Sequence, residues 1–308
     1  MNFYEQQRRN RRYTAVLIGC FVLLFAALGG ALDVSVARFG LGGARFPYLT
    51  VVALLVSIGI ALLGHYRGAD WVMTSLLAEP LRADDPEHRE LLNIATEMAI
   101  ASGLPRPRLF VIPDPSPNAL AAGRDPAHAA IAVTAGALAL LDREETQGVI
   151  AHEMAHIANR DTLVMTTVAV LFGGVVMLAD WARRSLYFAR QRKGGAQPLL
   201  LGVVLILILF SPLLSRLLAM AVSRRREYQA DATAVQLTRN SAGLARALEK
   251  IAASPFPFRA ATRGTAHLFI VNPLRRRADN SESAWSALLA THPPLMHRVA
   301  LLRGMATS

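Results

Sequence analysis

The amino-acid sequence predicts an α+β, mostly helical integral membrane protein with up to four transmembrane helices. The 308 residues are 53% hydrophobic and have a mean hydropathy of +0.33, which is too apolar for an ordinary soluble domain. Four apolar runs approach or reach the length that spans a bilayer, and polar, proline-containing segments separate them. These runs are Tyr13–Leu32, Pro47–Leu63, Thr162–Ala179 and Pro198–Met220.

The positive charge of the chain points to a membrane surface. The formal net charge is +11 and the isoelectric point is about 10.8. Arginines and lysines flank the apolar runs instead of alternating with aromatic residues, which favours anionic lipid and argues against nucleic acid. The single cysteine, Cys20, excludes a disulfide framework and a thiolate metal site, and it fits a domain that faces a reducing compartment.

The N-terminal sequence indicates two segments. Residues 1–12 are expected to form a basic cytoplasmic segment and residues 13–64 a two-helix membrane anchor. A cleavable signal peptide is the alternative for the first run, because Leu28 to Ala31 offers small residues. The length of this run and the second run that follows it favour an uncleaved anchor. By the positive-inside rule the chain then returns to the cytoplasmic side near His65.

Residues 65–161 predict the first part of a catalytic domain that contains a small sheet. An amphipathic helix, an extended segment and two short strands are expected before a long helix. The amphipathic helix is expected at Glu87–Ser102, the extended segment at Asn118–Gly123, and the two strands at Leu109–Ile112 and Ala129–Val133.

The long helix carries the pattern His-Glu-Met-Ala-His at His152 to His156. Spacing of four residues on a helix puts both imidazoles on one face, as two zinc ligands require, and places Glu153 beside the metal as general base. Asp142 and Glu145 form a capping-box pattern, and neither glycine nor proline interrupts the chain from Val149 to Asp161. The alternative is a pair of interfacial polar histidines with Glu153 as a surface charge.

A zinc site needs a third protein ligand and leaves its fourth position open. Glu227 is the best candidate, and Asp231, one helical turn later, could accept a hydrogen bond from a ligating histidine. Taken alone, this segment favours a plain helix with an arginine membrane anchor at residues 224–226 and ordinary ion pairs. With Glu227 included, the sequence predicts a zincin-like (gluzincin) catalytic domain with one zinc ion per chain.

The path between the ligands constrains the topology. If Glu227 and His156 bind one ion, residues 162–220, the second pair of apolar helices, cross the membrane an even number of times. Full crossing would leave the basic loop 183–193 outside, against the positive-inside rule, so a re-entrant or protein-packed hairpin stays open. Residues 221–308 then form the second part of the catalytic domain, with helices expected at about Arg224–Leu237, Ser241–Ala252 and Pro294–Arg303.

Several separated motifs, taken in order, resemble the HtpX-type membrane metallopeptidases, relatives of the eukaryotic CAAX prenyl proteases. The resemblance covers nearly the whole chain and departs at Leu120, where the family usually has phenylalanine. The motifs are Asn118–Ala121, Val149–Ile157, Arg226–Asp231, Ala266–Pro273 and Thr291–Pro294.

The resemblance implies a role for each matching residue. It implies His152, His156 and Glu227 as zinc ligands and Glu153 as general base. It also implies three further groups: Asp231 and Arg298 as buttresses of the site, His292 as a catalytic residue that stabilises the reacting carbonyl, and Asn118, Ala119, Leu120 and Ala121 as substrate-binding residues.

The expected function is a membrane-bound zinc metalloendopeptidase that cleaves misfolded or damaged membrane proteins as part of stress response and quality control. The expected location is the bacterial inner membrane, with several spans and the catalytic domain facing the cytoplasm. A non-catalytic membrane zinc-binding scaffold is the alternative. A transporter or channel is disfavoured because the apolar runs contain almost no ionisable residues.

Overall fold

The structure is a computed structural model. It describes residues 3–38, 46–191, 223–271 and 293–305, apart from positions 83, 87, 257 and 259–263. Over these residues the chain is mostly helical with a small mixed sheet.

Two described helices are long and apolar enough to cross a membrane, α1 (Phe3–Arg38) and α2 (Tyr48–Ser75). Helix α1 has 36 residues and is about 54 Å long, whereas the hydrocarbon core is about 30 Å thick, so its ends extend beyond lipid. The last turns of α2 leave the apolar run as well and bury Val72 and Met73 against the sheet.

The third predicted span, Thr162–Ala179, falls on α6 (Asp161–Gln191). The fourth run, Pro198–Met220, lies outside the described residues. The basic loop predicted at residues 183–193 is wrong for residues 183–191, because α6 remains helical as far as Gln191. This stretch contains several good helix formers and no glycine or proline to end the helix.

The small sheet has four strands in the order β1-β2-β4-β3. Strand β4 pairs in parallel with β2 and antiparallel with β3, and β1 pairs antiparallel with β2. The strands are β1 (Glu79–Pro80), β2 (Arg108–Ile112), β3 (Ala119–Ala122) and β4 (Ala130–Thr134). The last three match the predicted extended segments to within one or two residues.

Side chains of the sheet alternate between two apolar layers, as the two-residue period of a strand requires. Ala119, Ala121 and Ile131 face a layer built mainly from the helices at residues 89–102, 143–158 and 241–253. Leu120 and Ala132 face the opposite layer, which contains the end of α2 and part of α6. The sheet therefore lies between these two apolar layers.

The remaining helices lie close to their predicted positions, except the helix at residues 135–140, which was not predicted. They are α3 (Arg89–Ser102), α4 (Ala135–Leu140), α5 (Arg143–Ala158), α7 (Arg224–Thr238), α8 (Ser241–Ala253) and α9 (Leu295–Met305). Gly148 of α5 allows close contact with α8, since a Cβ atom there would lie 2.9 Å from the Leu244 backbone.

Helix α5 begins and ends for identifiable reasons. The Asp142 side chain accepts from the Glu145 N–H, and the Glu145 side chain accepts from the Asp142 N–H, which confirms the capping box. The helix ends at Ala158, before the predicted Asp161, because Arg160 takes a left-handed conformation with φ +57°. This turn starts a new helix, α6, at Asp161.

Candidate metal centre and active site

The structure brings the three predicted ligands, His152, His156 and Glu227, into one buried cluster. Their ligand atoms all lie within 4.8 Å of one another. The two Nε2 atoms are 3.2 Å apart, and the Glu227 carboxylate oxygens lie 3.8 Å from Nε2 of His152 and 3.7 Å from Nε2 of His156. Packing of α7 against α5 produces this convergence across 71 positions of sequence.

These distances fit a tetrahedral zinc ion. Zinc–nitrogen bonds of 2.0–2.1 Å at tetrahedral angles place two donor atoms about 3.3 Å apart. The measured separations are close to this value, and two imidazoles with one carboxylate are a donor set that zinc uses in catalytic sites. The residues present therefore fit zinc.

His152 is oriented from the C-terminal side of the domain. Its Nδ1 lies 2.9 Å from Oδ1 of Asp231, one turn after Glu227 on α7. Arg298 of α9 donates to both oxygens of Asp231, at 2.8 and 2.7 Å. Burial would raise the pKa of Asp231, but the Arg298 charge and hydrogen bonds outweigh it and lower the pKa to about 2. Asp231 is therefore a stable carboxylate beside the His152 ring.

Arg298 itself is fully buried and connects several parts of the site. Its Nη1 donates to the carbonyl oxygen of Ile270 at 3.1 Å and lies 3.2 Å from a carboxylate oxygen of Glu227. Although burial disfavours the guanidinium charge, Asp231 and Glu227 outweigh this and raise the pKa of Arg298. One arginine thus contacts the carboxylate beside His152 and the carboxylate of the third ligand.

His156 is oriented from the membrane side by Asp161, which sequence reasoning missed. Nδ1 of His156 lies 3.1 Å from Oδ2 of Asp161, the first residue of α6. A fully buried carboxylate five residues after a motif histidine is hard to recognise from spacing, because an unbroken helix would turn it away. The break at Arg160 is what brings Asp161 back toward the ring.

His152 and His156 differ in their affinity for protons. Burial lowers the pKa of His152, against the influence of Asp231. For His156 burial acts in the same direction, but the hydrogen bond to Asp161 and the charge of Glu227 outweigh it and raise the pKa to about 9. The environment therefore favours neutral His152 and protonated His156 in the metal-free protein.

Glu153 is buried on α5 beside the ligand cluster. Burial raises its pKa to about 7 and the Glu227 charge adds to this effect, while His156, Arg298 and the Ala121 N–H oppose it. A carboxylate that titrates near neutrality can accept a proton and return it during one reaction cycle.

The predicted substrate-binding residues Asn118 to Ala121 lie on and just before β3, next to α5, and all are buried. Leu120 forms an antiparallel bridge with Phe269, and the Ile270 N–H donates to the Ala119 carbonyl at 3.0 Å. The Asn118 side chain also bonds the backbone of Val271, donating to its carbonyl at 2.8 Å and accepting from its N–H at 3.3 Å. Residues 268–271, hereafter the edge segment, thus occupy the outer side of β3.

His292, the remaining predicted residue, lies outside the described residues. A further histidine, His267, is buried in a short 3₁₀ helix, and its Nε2 lies 3.0 Å from the Met165 carbonyl oxygen on α6.

The sequence is similar to those of known peptidases. The model of peptidase family M48 matches residues 85–306. Protease HtpX homologs from Dictyoglomus turgidum and Caldanaerobacter subterraneus subsp. tengcongensis are 39% and 38% identical, with 98% of this chain and 95% and 97% of the relatives covered. The homolog from Lactobacillus helveticus is 38% identical over 98% of this chain and 99% of its own.

A solved structure, that of S. mikatae Ste24p, aligns with a TM-score of 0.49 and 18% sequence identity, over 97% of this chain and 67% of that one. The family model covers well over half of the sequence, and the HtpX homologs align over nearly all of it. The chain therefore belongs to peptidase family M48.

Proposed function

We propose that this membrane metallopeptidase is a zinc-dependent endopeptidase with His152, His156 and Glu227 as ligands and Glu153 as general base. The observation that carries the proposal is the buried convergence of three zinc-type donors beside a carboxylate whose pKa is raised to about 7. Zinc bound there would supply a Lewis acid that acidifies water and polarises a peptide carbonyl.

The protein residues would handle the protons. Glu153 removes a proton from the attacking water and delivers it to the leaving amine, since a group with a pKa near 7 changes its protonation state at little cost at neutral pH. Asp231 and Asp161 hold the two histidine rings from opposite sides. His292 is assigned to the reacting carbonyl on the strength of the family resemblance.

Two variants separate the base from the ligands. Glu153→Gln keeps the ligand set and should retain about one zinc per chain while cleavage of an unfolded reporter falls by about 10²- to 10⁴-fold. Glu227→Ala removes a ligand and should lower the zinc content itself. Metal analysis and reporter cleavage on purified protein in detergent measure both effects.

The same pair of variants distinguishes the alternative, a zinc-binding scaffold without catalysis. A scaffold would hold zinc and be indifferent to Glu153. Unchanged cleavage by the Glu153→Gln protein would contradict the assignment of the base, and retention of tightly bound zinc by Glu227→Ala would contradict the assignment of the ligand.

The position of the substrate follows from the edge segment. An extended peptide can add to a sheet edge through backbone hydrogen bonds, with little dependence on sequence. The outer side of β3 lies next to the Glu153 helix, and residues 269 and 270 already pair with it as a peptide would. We therefore place the substrate backbone where the edge segment now lies, which requires the segment to move away from β3.

A reversible cross-link tests this placement. Leu120→Cys and Phe269→Cys, introduced together in a Cys20→Ala background, place two thiols at directly opposite positions. Oxidation should hold the segment on β3 and abolish cleavage without loss of zinc, and reduction should restore it. The two single-cysteine proteins are the controls, and full activity of the oxidised double variant would refute the placement.

Membrane attachment defines the class of substrate. Two helices that can span a bilayer hold the site near the membrane surface, where segments of unfolded or damaged membrane proteins are concentrated. Backbone pairing with little sequence preference suits such varied substrates. We propose a role in quality control at the bacterial inner membrane, with the catalytic domain on the cytoplasmic side.

A further inference from the structure

The N-terminal end of α1 does more than precede a membrane anchor, because it reaches the metal site. Asn10 is fully buried, and its side-chain amide donates to Oδ1 of Asp161 at 2.8 Å and to the carbonyl of Asn159 at 3.0 Å. The other carboxylate oxygen of Asp161 faces Nδ1 of His156. An unbroken chain of contacts therefore runs from the membrane helix to a zinc ligand.

The same asparagine meets a third element. Arg226, the residue before the ligand Glu227, donates from Nη1 to Oδ1 of Asn10 at 3.5 Å and lies 3.8 Å from Oδ1 of Asp161. All three side chains are buried. The side-chain nitrogen of Asn10 therefore donates two hydrogen bonds and its oxygen accepts one, where α1, α6 and α7 meet.

We propose that Asn10 is a positioning residue of the metal site, which fixes the Asp161 carboxylate so that His156 presents Nε2 to the ion. A buried carboxylate with one oxygen toward the ring needs a partner on the other oxygen to keep its orientation. Outer partners of this kind change metal affinity by about 10- to 100-fold when they are removed. The inference rests on the proposed zinc site.

The chain offers a matched control on the same helix. Gln7, almost one turn before Asn10, donates to the carbonyl of Ala158 at 2.9 Å and so also joins α1 to the end of α5. This hydrogen bond goes to the backbone of α5 and not to Asp161. A general contribution of α1 to packing should respond to both residues, whereas positioning of Asp161 should respond to Asn10 alone.

The test uses the full-length protein in detergent. The zinc dissociation constant is measured by competition with a chelator, and the visible spectrum of the Co²⁺-substituted protein reports ligand geometry. Asn10→Ala should raise the zinc dissociation constant about tenfold and shift the cobalt bands, whereas Gln7→Ala should stay within about twofold of wild type with unchanged bands.

A double-mutant cycle shows whether Asn10 acts through Asp161. In an Asp161→Ala background, Asn10→Ala should weaken zinc binding no further, because the carboxylate that it positions is absent. Additive losses would overturn the proposal. If Asn10→Ala does not yield folded protein, Asn10→Ser, which is too short to hold both acceptors, should change zinc affinity and cobalt bands in the same direction.

Each outcome is decisive. If wild type binds zinc tightly and Asn10→Ala equals Gln7→Ala in affinity and spectrum, the positioning role is overturned while the zinc site stands. If wild type binds neither zinc nor Co²⁺ through this cluster, the proposed function fails and the positioning role fails with it.

Discussion

The two histidines proposed as zinc ligands lie one turn apart on the same helix, yet the protein supports them from opposite directions. His152 faces Asp231, which Arg298 holds from the C-terminal helix α9. His156 faces Asp161, which Asn10 holds from the membrane helix α1. Identical ligands thus depend on different parts of the chain, and a disturbance in either the membrane or the catalytic domain would reach one of the two.

The difference also determines the charge of each ring. Burial lowers the pKa of His152 and outweighs Asp231, whose hydrogen bond and charge raise that pKa while Arg298 holds the carboxylate with two bonds. Asp161 has an amide as its closest partner besides His156, with Arg226 at 3.8 Å, and together with Glu227 it raises the pKa of His156 to about 9.

The largest effect is expected from breaking the support of His152. Arg298→Ala would leave Asp231 buried without its charged partner, a loss that costs about 3–5 kcal/mol of unfolding free energy. Arg303→Ala on the same helix is the matched control, because Arg303 also binds a carboxylate, Glu249, with two bonds but is exposed. Its loss should cost much less than the loss of Arg298, because solvent screens the exposed ion pair.

Chemical denaturation of the metal-free proteins measures both values. Equal destabilisation by the two substitutions would show that burial of the Arg298–Asp231 pair is not what holds His152. A large loss for Arg298 alone would establish that support as part of the folded core.

A smaller effect sharpens the contrast in proton affinity. Zinc binds neutral imidazole, and His156 with its pKa at about 9 must release a proton on binding below that pH. The zinc association constant of wild type should therefore rise about tenfold per pH unit from pH 7.5 and level off above about pH 9. His152, with a lowered pKa, adds no such dependence in this range.

Substitution of each aspartate assigns the slope. Asp161→Asn removes the largest influence that raises the pKa of His156, so the rise should level off at a lower pH. Asp231→Asn should weaken binding yet leave the slope unchanged. A slope that is lost in Asp231→Asn and kept in Asp161→Asn would reverse the assignment of the two rings. Chelator competition across pH 7.5–9.5 gives both curves.

Most elements were predictable because they depend on local patterns. Periodicity and capping residues located α3, α5, α7 and α8 to within a few residues, and Asp142 with Glu145 marked the start of α5. The end of α5 was not predictable, since the positive φ of Arg160 has no glycine to announce it. That one turn decides whether Asp161 meets His156.

The sequence by itself determined the chemistry of this protein: two imidazoles and a glutamate on one helix, with a second glutamate and its neighbouring aspartate on another. The spacing of these residues along the chain is enough to predict that they lie together, because a helix fixes which side chains share a face. Only the tertiary structure decided which distant parts of the chain come into contact around the site. These contacts join Asn10 to Asp161, Arg298 to Asp231 and the edge segment to β3. Such contacts join positions that are 67 to 151 residues apart, and they follow from how the helices and the sheet pack, which local patterns do not record.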